Sequence, residues 1–203
     1  MSKSAIAALA FGLMLGGSAL ADVVTFRFTL EGSQEVPSVT TSGTGHGVAR
    51  LDTVTRMVEV HTRYEGLTGT ATNAHLHGLS ARGVNSNPIV QFTFNSGVTS
   101  GTAQGSGTLS VTNANGVLNG MSYANIHSTF KGGGEIRGQV EQHPCPADYN
   151  GDGFVDGIDY DLFNNDFEST NPSRQIIADY NGDGFVDGID YDNFNNDFET
   201  PCP

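Results

Sequence analysis

The sequence predicts a mainly β protein, an antiparallel β-sandwich or barrel followed by a small α module of two loop-then-helix repeats. Three observations predict it. Residues 23–141 are dominated by period-two apolar runs broken by Gly, Ser, Thr and Asn, the pattern of half-buried antiparallel strands joined by turns. Residues 148–168 and 179–199 are the same string with one difference, Leu162 against Asn193, and the 31-residue offset between them (179 − 148) marks an internal duplication. Charge is also segregated. Residues 1–143 hold eight acids and eight bases, whereas residues 144–203 hold fourteen acids and one base, Arg174, and so carry the whole net charge of −13.

These shifts divide the chain into residues 1–21, 22–142 and 143–203. The first is a targeting segment: Lys3 gives a basic start, residues 5–15 form an apolar run, and Ser18, Ala19 and Ala21 supply small residues. That is a secretory signal pattern with cleavage expected after Ala21. The run is shorter than the roughly 20 apolar residues that span a bilayer. The expectation is a secreted, cell-surface or periplasmic chain with no transmembrane segment after cleavage. The mature chain would have 182 residues (203 − 21), enough for one hydrophobic core and a small module. An oxidising compartment permits Cys145 and Cys202, which flank the acidic segment, to pair. A bridge there would close a loop of about 58 residues and contribute on the order of 4 kcal/mol on the chain-entropy model.

In the middle segment, Val24, Phe26, Phe28 and Leu30 alternate with Thr25, Arg27 and Thr29. Val58, Val60 and Thr62 alternate with Glu59, His61 and Arg63, and Val90, Phe92 and Phe94 alternate with Gln91 and Thr93. Met121, Tyr123 and Asn125 suggest another strand, and residues 135–140 close the domain. Helical patterns are few. His75 and His77 are two apart, so on a strand both imidazoles leave the same face, and Asn125 and His127 share that relation. Three converging imidazoles (His75, His77 and His127) would suit copper or zinc; the alternative is a hydrogen-bonded framework at a sheet end. Glu35, Glu135 and Arg137 are candidates for supporting partners or a structural ion pair.

Each copy of the repeat opens with twelve residues spaced as an EF-hand-like calcium loop, 148–159 and 179–190. In the first, Asp148, Asn150, Asp152, the Phe154 carbonyl, Asp156 and Asp159 occupy positions one, three, five, seven, nine and twelve. In the second these are Asp179, Asn181, Asp183, Phe185, Asp187 and Asp190. Calcium takes six to eight hard oxygens, and this spacing wraps them around one point, with Gly153 and Gly184 at the sharp turn of position six. Two calcium ions are expected. Val155 and Val186, at position eight, occupy the place where paired EF-hands form a short joining strand. After the first loop Tyr160, Phe163 and Phe167 recur on one helical face. No convincing helix precedes either loop.

A duplicated loop-helix with Asp at position twelve and a linker of about a dozen residues resembles the type I dockerin family. The resemblance implies a cohesin-like or other extracellular or surface partner. The family's recognition pair at positions ten and eleven is often Ser-Thr; here it is Gly157-Ile158 and Gly188-Ile189. That departure is closer to the divergent dockerin-like tails of bacteria that lack cellulosomes. Two near-identical faces imply binding in either of two orientations. The strings LEGSQEVP from residue 30, AHLHG from 74, YANIH from 123 and GEIRGQ from 134, in that order, resemble the CHRD domain. That resemblance implies an exported β-domain.

Composition narrows the function classes. The acidic module and the balanced remainder lack the basic stripe that nucleic acid requires. No Ser-His-Asp order and no glycine-rich phosphate loop before a helix is evident, and the β-domain has few acids for glycoside chemistry. The reading is a secreted calcium-binding protein with a non-catalytic β-domain held to a partner by the module. One alternative is a copper or zinc metalloprotein with redox activity. The other is an accessory in a polysaccharide-degrading assembly, which the absence of Trp weakens.

Overall fold

The computed structural model describes residues 23–200. The expected signal segment, residues 1–21, and Cys202 lie outside them. Nine antiparallel strands make one sheet: Val23–Glu31 (β1), Thr44–Asp52 (β2), Met57–Glu65 (β3), Ala71–Gly78 (β4), Pro88–Gln91 (β5), Thr93–Phe94 (β6), Gly101–Thr108 (β7), Ser122–Ser128 (β8) and Ile136–Val140 (β9). Their order is β5-β4-β8-β9-β1-β2-β3-β7-β6. The two ends of that order are one stretch of chain interrupted only at Phe92. Its first half pairs with β4 and its second with β7, while the Phe92 N–H donates to the Ala74 carbonyl at 3.0 Å. A single segment thus covers both edges and nearly closes the sheet into a barrel, which removes exposed backbone donors and acceptors.

The alternation selects the inner face. Phe26, Phe28 and Leu30 meet Ala49, Leu51, Val58, Val60, Leu76, Ile126 and Ile136 in one buried core. On β7 the inner position opposite Val60 is Gly105, where a Cβ would lie 2.5 Å from the Phe92 ring; glycine there makes room for the closing side chain. One element was not expected, the helix Val111–Leu118 (α1). The Ser110 side chain caps it by accepting from the Asn113 N–H at 3.1 Å, and Ala114 and Val117 complete the core. Two apolar positions in an Asn- and Gly-containing stretch are too weak a period to announce a helix.

In the acidic segment, Gly157–Phe167 (α2) and Gly188–Phe198 (α4) are equivalent helices, each opened by a capping box, Asp156 with Asp159 and Asp187 with Asp190. Their packing is pseudo-twofold. The Phe163 and Phe194 rings stack 4.0 Å apart, and the Tyr160 and Tyr191 hydroxyls lie 2.8 Å apart, each pair being one repeat offset. Two expectations are corrected. Val155 and Val186 pack at the margin of this aromatic core but form no joining strand; the capping boxes commit the chain to helix two residues later. A short helix Pro172–Gln175 (α3), capped by Asn171, and a 3-10 turn Ile176–Ala178 do precede the second loop. Pro at a helix start fixes the first turn.

The module docks on the outer face of β1, β2 and β3, so residues that alternation alone would leave in water are buried: Arg27, His46, Val48 and Arg50. Val48 joins the aromatic core of the module. Arg27 lies 4.5 Å over the Tyr149 ring and 4.9 Å over Tyr180, and donates to the Ile177 carbonyl. Arg50 donates to the Asp179 carbonyl and pairs with its carboxylate at 3.6 Å. Asp166, fully buried, accepts from His46 at 2.6 Å, Arg174 at 2.7 Å, Arg63 at 3.3 Å and the Tyr149 hydroxyl at 3.2 Å. Burial alone would push the Asp166 carboxyl up; hydrogen bonds from His46 and Arg174 and the Arg63 charge outweigh it and hold it below the usual range.

The repeat equivalent of Asp166 is Asp197, which is only partly buried and accepts from the Tyr180 hydroxyl at 2.8 Å. Asp166→Ala is therefore expected to lower unfolding free energy by about 3–5 kcal/mol, because it strands buried cations. Asp197→Ala should cost about 1 kcal/mol, the value of one hydrogen bond. Urea titrations at saturating calcium measure both, and equal losses would contradict the docked arrangement.

Candidate metal sites

Each acidic loop is curled by its own amides. Asp148 accepts from Gly151 N (2.7 Å), Asp152 N (3.0 Å) and Gly153 N (2.9 Å), and Asn150 Oδ1 accepts from Asp152 N (2.7 Å). Asp159 reaches back to accept from Tyr149 N (2.8 Å), Asn150 N (3.0 Å) and Asp156 N (2.9 Å). The second loop repeats this, with Asp179 accepting from Gly182 N and Gly184 N, and Asp190 from Tyr180 N, Asn181 N and Asp187 N. Gly153 and Gly184 sit at φ +93° and +90°, the left-handed region that glycine occupies without a Cβ penalty.

The donor set fits a hard divalent cation. Asp148, Asp159, Asp179 and Asp190 are all buried. His143 lies 3.5 Å from Asp148, and Arg50 approaches Asp179. Among the described residues no basic group within 4.0 Å is found for Asp159 or Asp190. Burial pushes the Asp159 carboxyl up, its backbone hydrogen bonds pull it down, and the neighbouring Asp148 charge adds to the rise. Buried acids without counter-charge are costly, and an ion bound by oxygen ligands removes the cost.

The histidines converge on the outer face of β4 and β8. Register sets Asn73 opposite His127, His75 opposite Asn125 and His77 opposite Tyr123. His75 Nδ1 lies 3.0 Å from His127 Nε2, and one ligand atom from each of His75, His77 and His127 falls within 4.8 Å of the others. His77 stacks on Tyr123 with centroids 4.6 Å apart. Burial pushes the His77 ring down to about 4 and lowers His75 and His127 as well, so it favours the neutral form of all three.

Of the suggested supporting residues, Glu135 is a framework hub. It accepts from Thr41, Thr68 N, Gly69 N and Ser128. Arg137 lies 3.5 Å over the Tyr123 ring and donates to the Val84 carbonyl, Asn85 and Gln139. Asn125, opposite His75 across the β4–β8 pair, lies beside Glu35 and Gly134. Burial pushes the Glu35 carboxyl up to about 7, against the lowering effects of Arg137 and Asn125. Sequence reasoning missed the Ser86 and Gly132 carbonyls that hold two of the imidazoles. Backbone acceptors in irregular loops leave no residue-type signal. Tyr123, two positions before Asn125, was legible by alternation.

Comparison with protein families matches residues 26–140 to the CHRD domain and residues 146–199 to the dockerin type I domain. Comparison with curated proteins and with solved structures gave no match.

Glu35 gives a pH prediction. In the unfolded chain it ionises near 4.5, whereas in the fold it stays protonated to about 7. Its stabilising contribution is complete below the unfolded value and is lost as pH rises through the folded one, by about 3 kcal/mol at most. Glu35→Gln, a neutral isostere, should flatten that part of the stability profile between about pH 4.5 and 7. Parallel profiles for the two proteins would refute it.

Proposed function

Because the chain belongs to the CHRD domain family and carries a dockerin type I module, we propose that it is an exported, non-catalytic β-barrel attached to an extracellular or cell-surface protein through a calcium-loaded module. The observation that carries this reading is the exposure of the module's free face. Phe154 and Ile158 in one repeat are 71% and 56% exposed, and Phe185 and Ile189 in the other are 72% and 56% exposed. The opposite face is occupied by the barrel. Exposed large apolar residues in matched pairs mark an interaction surface. Each isoleucine lines a groove that the other repeat completes, Ile158 with Phe198 and Ile189 with Phe167. Gly157 and Gly188 open the helices beside them with free space where a Cβ would be.

The ligands proposed for the two ions are Asp148, Asn150, Asp152, the Phe154 carbonyl, Asp156 and Asp159, then Asp179, Asn181, Asp183, the Phe185 carbonyl, Asp187 and Asp190. Calcium supplies the counter-charge that lets these acids be buried together, which couples binding to folding of the module. Asp159 and Asp190 also cap α2 and α4. Filling the loops therefore fixes the helix starts that present Ile158 and Ile189. Cleavage after Ala21 and a Cys145–Cys202 bridge clamping the module's ends complete the reading.

Two measurements test it. Asp148→Ala with Asp179→Ala should abolish the calcium-dependent rise in Tm that the parent chain shows; an unchanged rise would sink the loop assignment. In pull-downs from the secreted and surface fractions of the producing cells, the parent should recover a cohesin-like partner only without chelator. Ile158→Asp or Ile189→Asp alone should leave recovery within about twofold, because one face remains, while the double variant should lose it. Chelator-insensitive recovery, or recovery by the double variant, would reject the module as the attachment site.

A further inference from the structure

We propose that the outer face of β4 and β8 holds one late divalent transition-metal ion, zinc or copper(II), bound by His75, His77 and His127. The site is independent of the calcium module and uses nitrogen donors rather than oxygen.

The hydrogen bonds on the far side of two rings point to it. His77 Nδ1 lies 2.8 Å from the Ser86 carbonyl, and His127 Nδ1 lies 3.0 Å from the Gly132 carbonyl. A carbonyl only accepts, so both Nδ1 atoms carry protons and both Nε2 atoms present bare lone pairs. Metal-binding imidazoles are fixed in this way, with the far nitrogen donating to a carbonyl or carboxylate and the near one left as ligand. His77 Nε2 is buried and has no hydrogen-bond partner among the described residues. His75 Nδ1 faces His127 Nε2 at 3.0 Å. If His75 carries its proton on Nδ1 it satisfies His127 and leaves His77 unmatched. If it carries the proton on Nε2, three lone pairs face one another. With that second tautomer, a cation within bonding reach of all three lone pairs satisfies every acceptor at once.

The donor set also selects the ion. Three neutral imidazoles without a carboxylate suit zinc or copper and not calcium or magnesium. Three protein ligands leave a fourth coordination position for water or a small ligand. The path to it is not sealed, since His75, His77 and His127 keep 9%, 7% and 9% of their surface exposed. The two carbonyls come from loops outside the sheet, at Ser86 and at Gly132. The framework that holds the tautomers is therefore built by chain segments with no strand role of their own.

The test uses the full mature chain without an affinity His-tag, stripped of metal and then held in saturating calcium so that the loops are filled. Zinc chloride is titrated by calorimetry, and copper(II) chloride in a separate series. One equivalent should bind and raise Tm. His75→Gln, His77→Gln and His127→Gln should each weaken binding by at least about tenfold, the loss that disturbing a metal shell brings, with the calcium-dependent Tm rise kept. Long-range nitrogen–proton NMR of the unmutated chain covers the case in which a variant fails to fold. On adding zinc, the Nε2 signals of His77 and His127 should move to metal-bound positions while their Nδ1 atoms stay protonated. No binding of either metal, unchanged affinity in folded variants, or imidazole signals unmoved by a stoichiometric equivalent of zinc would overturn the proposal.

Discussion

Arg27 is a buried cation on the outside of a β-barrel, and the arrangement of the whole chain follows from what neutralises its isolation. Its guanidinium lies over the rings of Tyr149 and Tyr180, the second residue of each acidic loop. A desolvated cation over aromatic faces is stabilised by about 2 kcal/mol or more. Because the two rings are repeat equivalents, the cation touches both halves of a pseudo-symmetric module. The module can dock in this way only if both loops are folded.

Docking makes near-identical repeats inequivalent. Asp166 is the centre of a buried network that includes His46, Arg63, Arg174 and Tyr149, whereas Asp197 has a tyrosine hydroxyl. Asp179 is approached by Arg50, whereas Asp148 is approached by His143. The exposed faces escape this asymmetry: Phe154 with Ile158 and Phe185 with Ile189 are equally open to solvent. Symmetry is thus lost on the face that holds the barrel and kept on the face available to a partner.

The barrel's outer surface is covered twice, by different means. The module covers β1, β2 and β3. On the far side the stretch around Val84, Asn85 and Ser86 and the turn at Gly132 cover β4, β8 and β9, meeting Arg137, His77 and His127. Covering these residues keeps the imidazoles neutral and aimed, as it keeps Glu35 protonated toward neutral pH. Hard-oxygen donors and imidazole donors are therefore held in separate parts of the chain, the first on loops and the second on strands. Loops can wrap an ion that wants many oxygens, and a strand pair can set a few nitrogens at fixed spacing.

The sequence by itself determined what is periodic and local. The inner face of each main strand followed from alternation, because a side chain's face on a strand depends only on its position in the run. The two loops followed from the spacing of Asp148, Asn150, Asp152 and Asp159 and their repeats, because an EF-hand-like loop gathers its donors within twelve residues. His75 and His77 shared a face for the same local reason. Only the tertiary structure decided which strand neighbours which, that residues 88–94 close the barrel, and that His127 joins the histidine pair across β8. It also decided the fate of Arg27, His46, Val48 and Arg50, which alternation assigns to solvent. Whether an outward residue meets water or another element depends on a surface more than a hundred residues away in the chain, and no local pattern carries that distance.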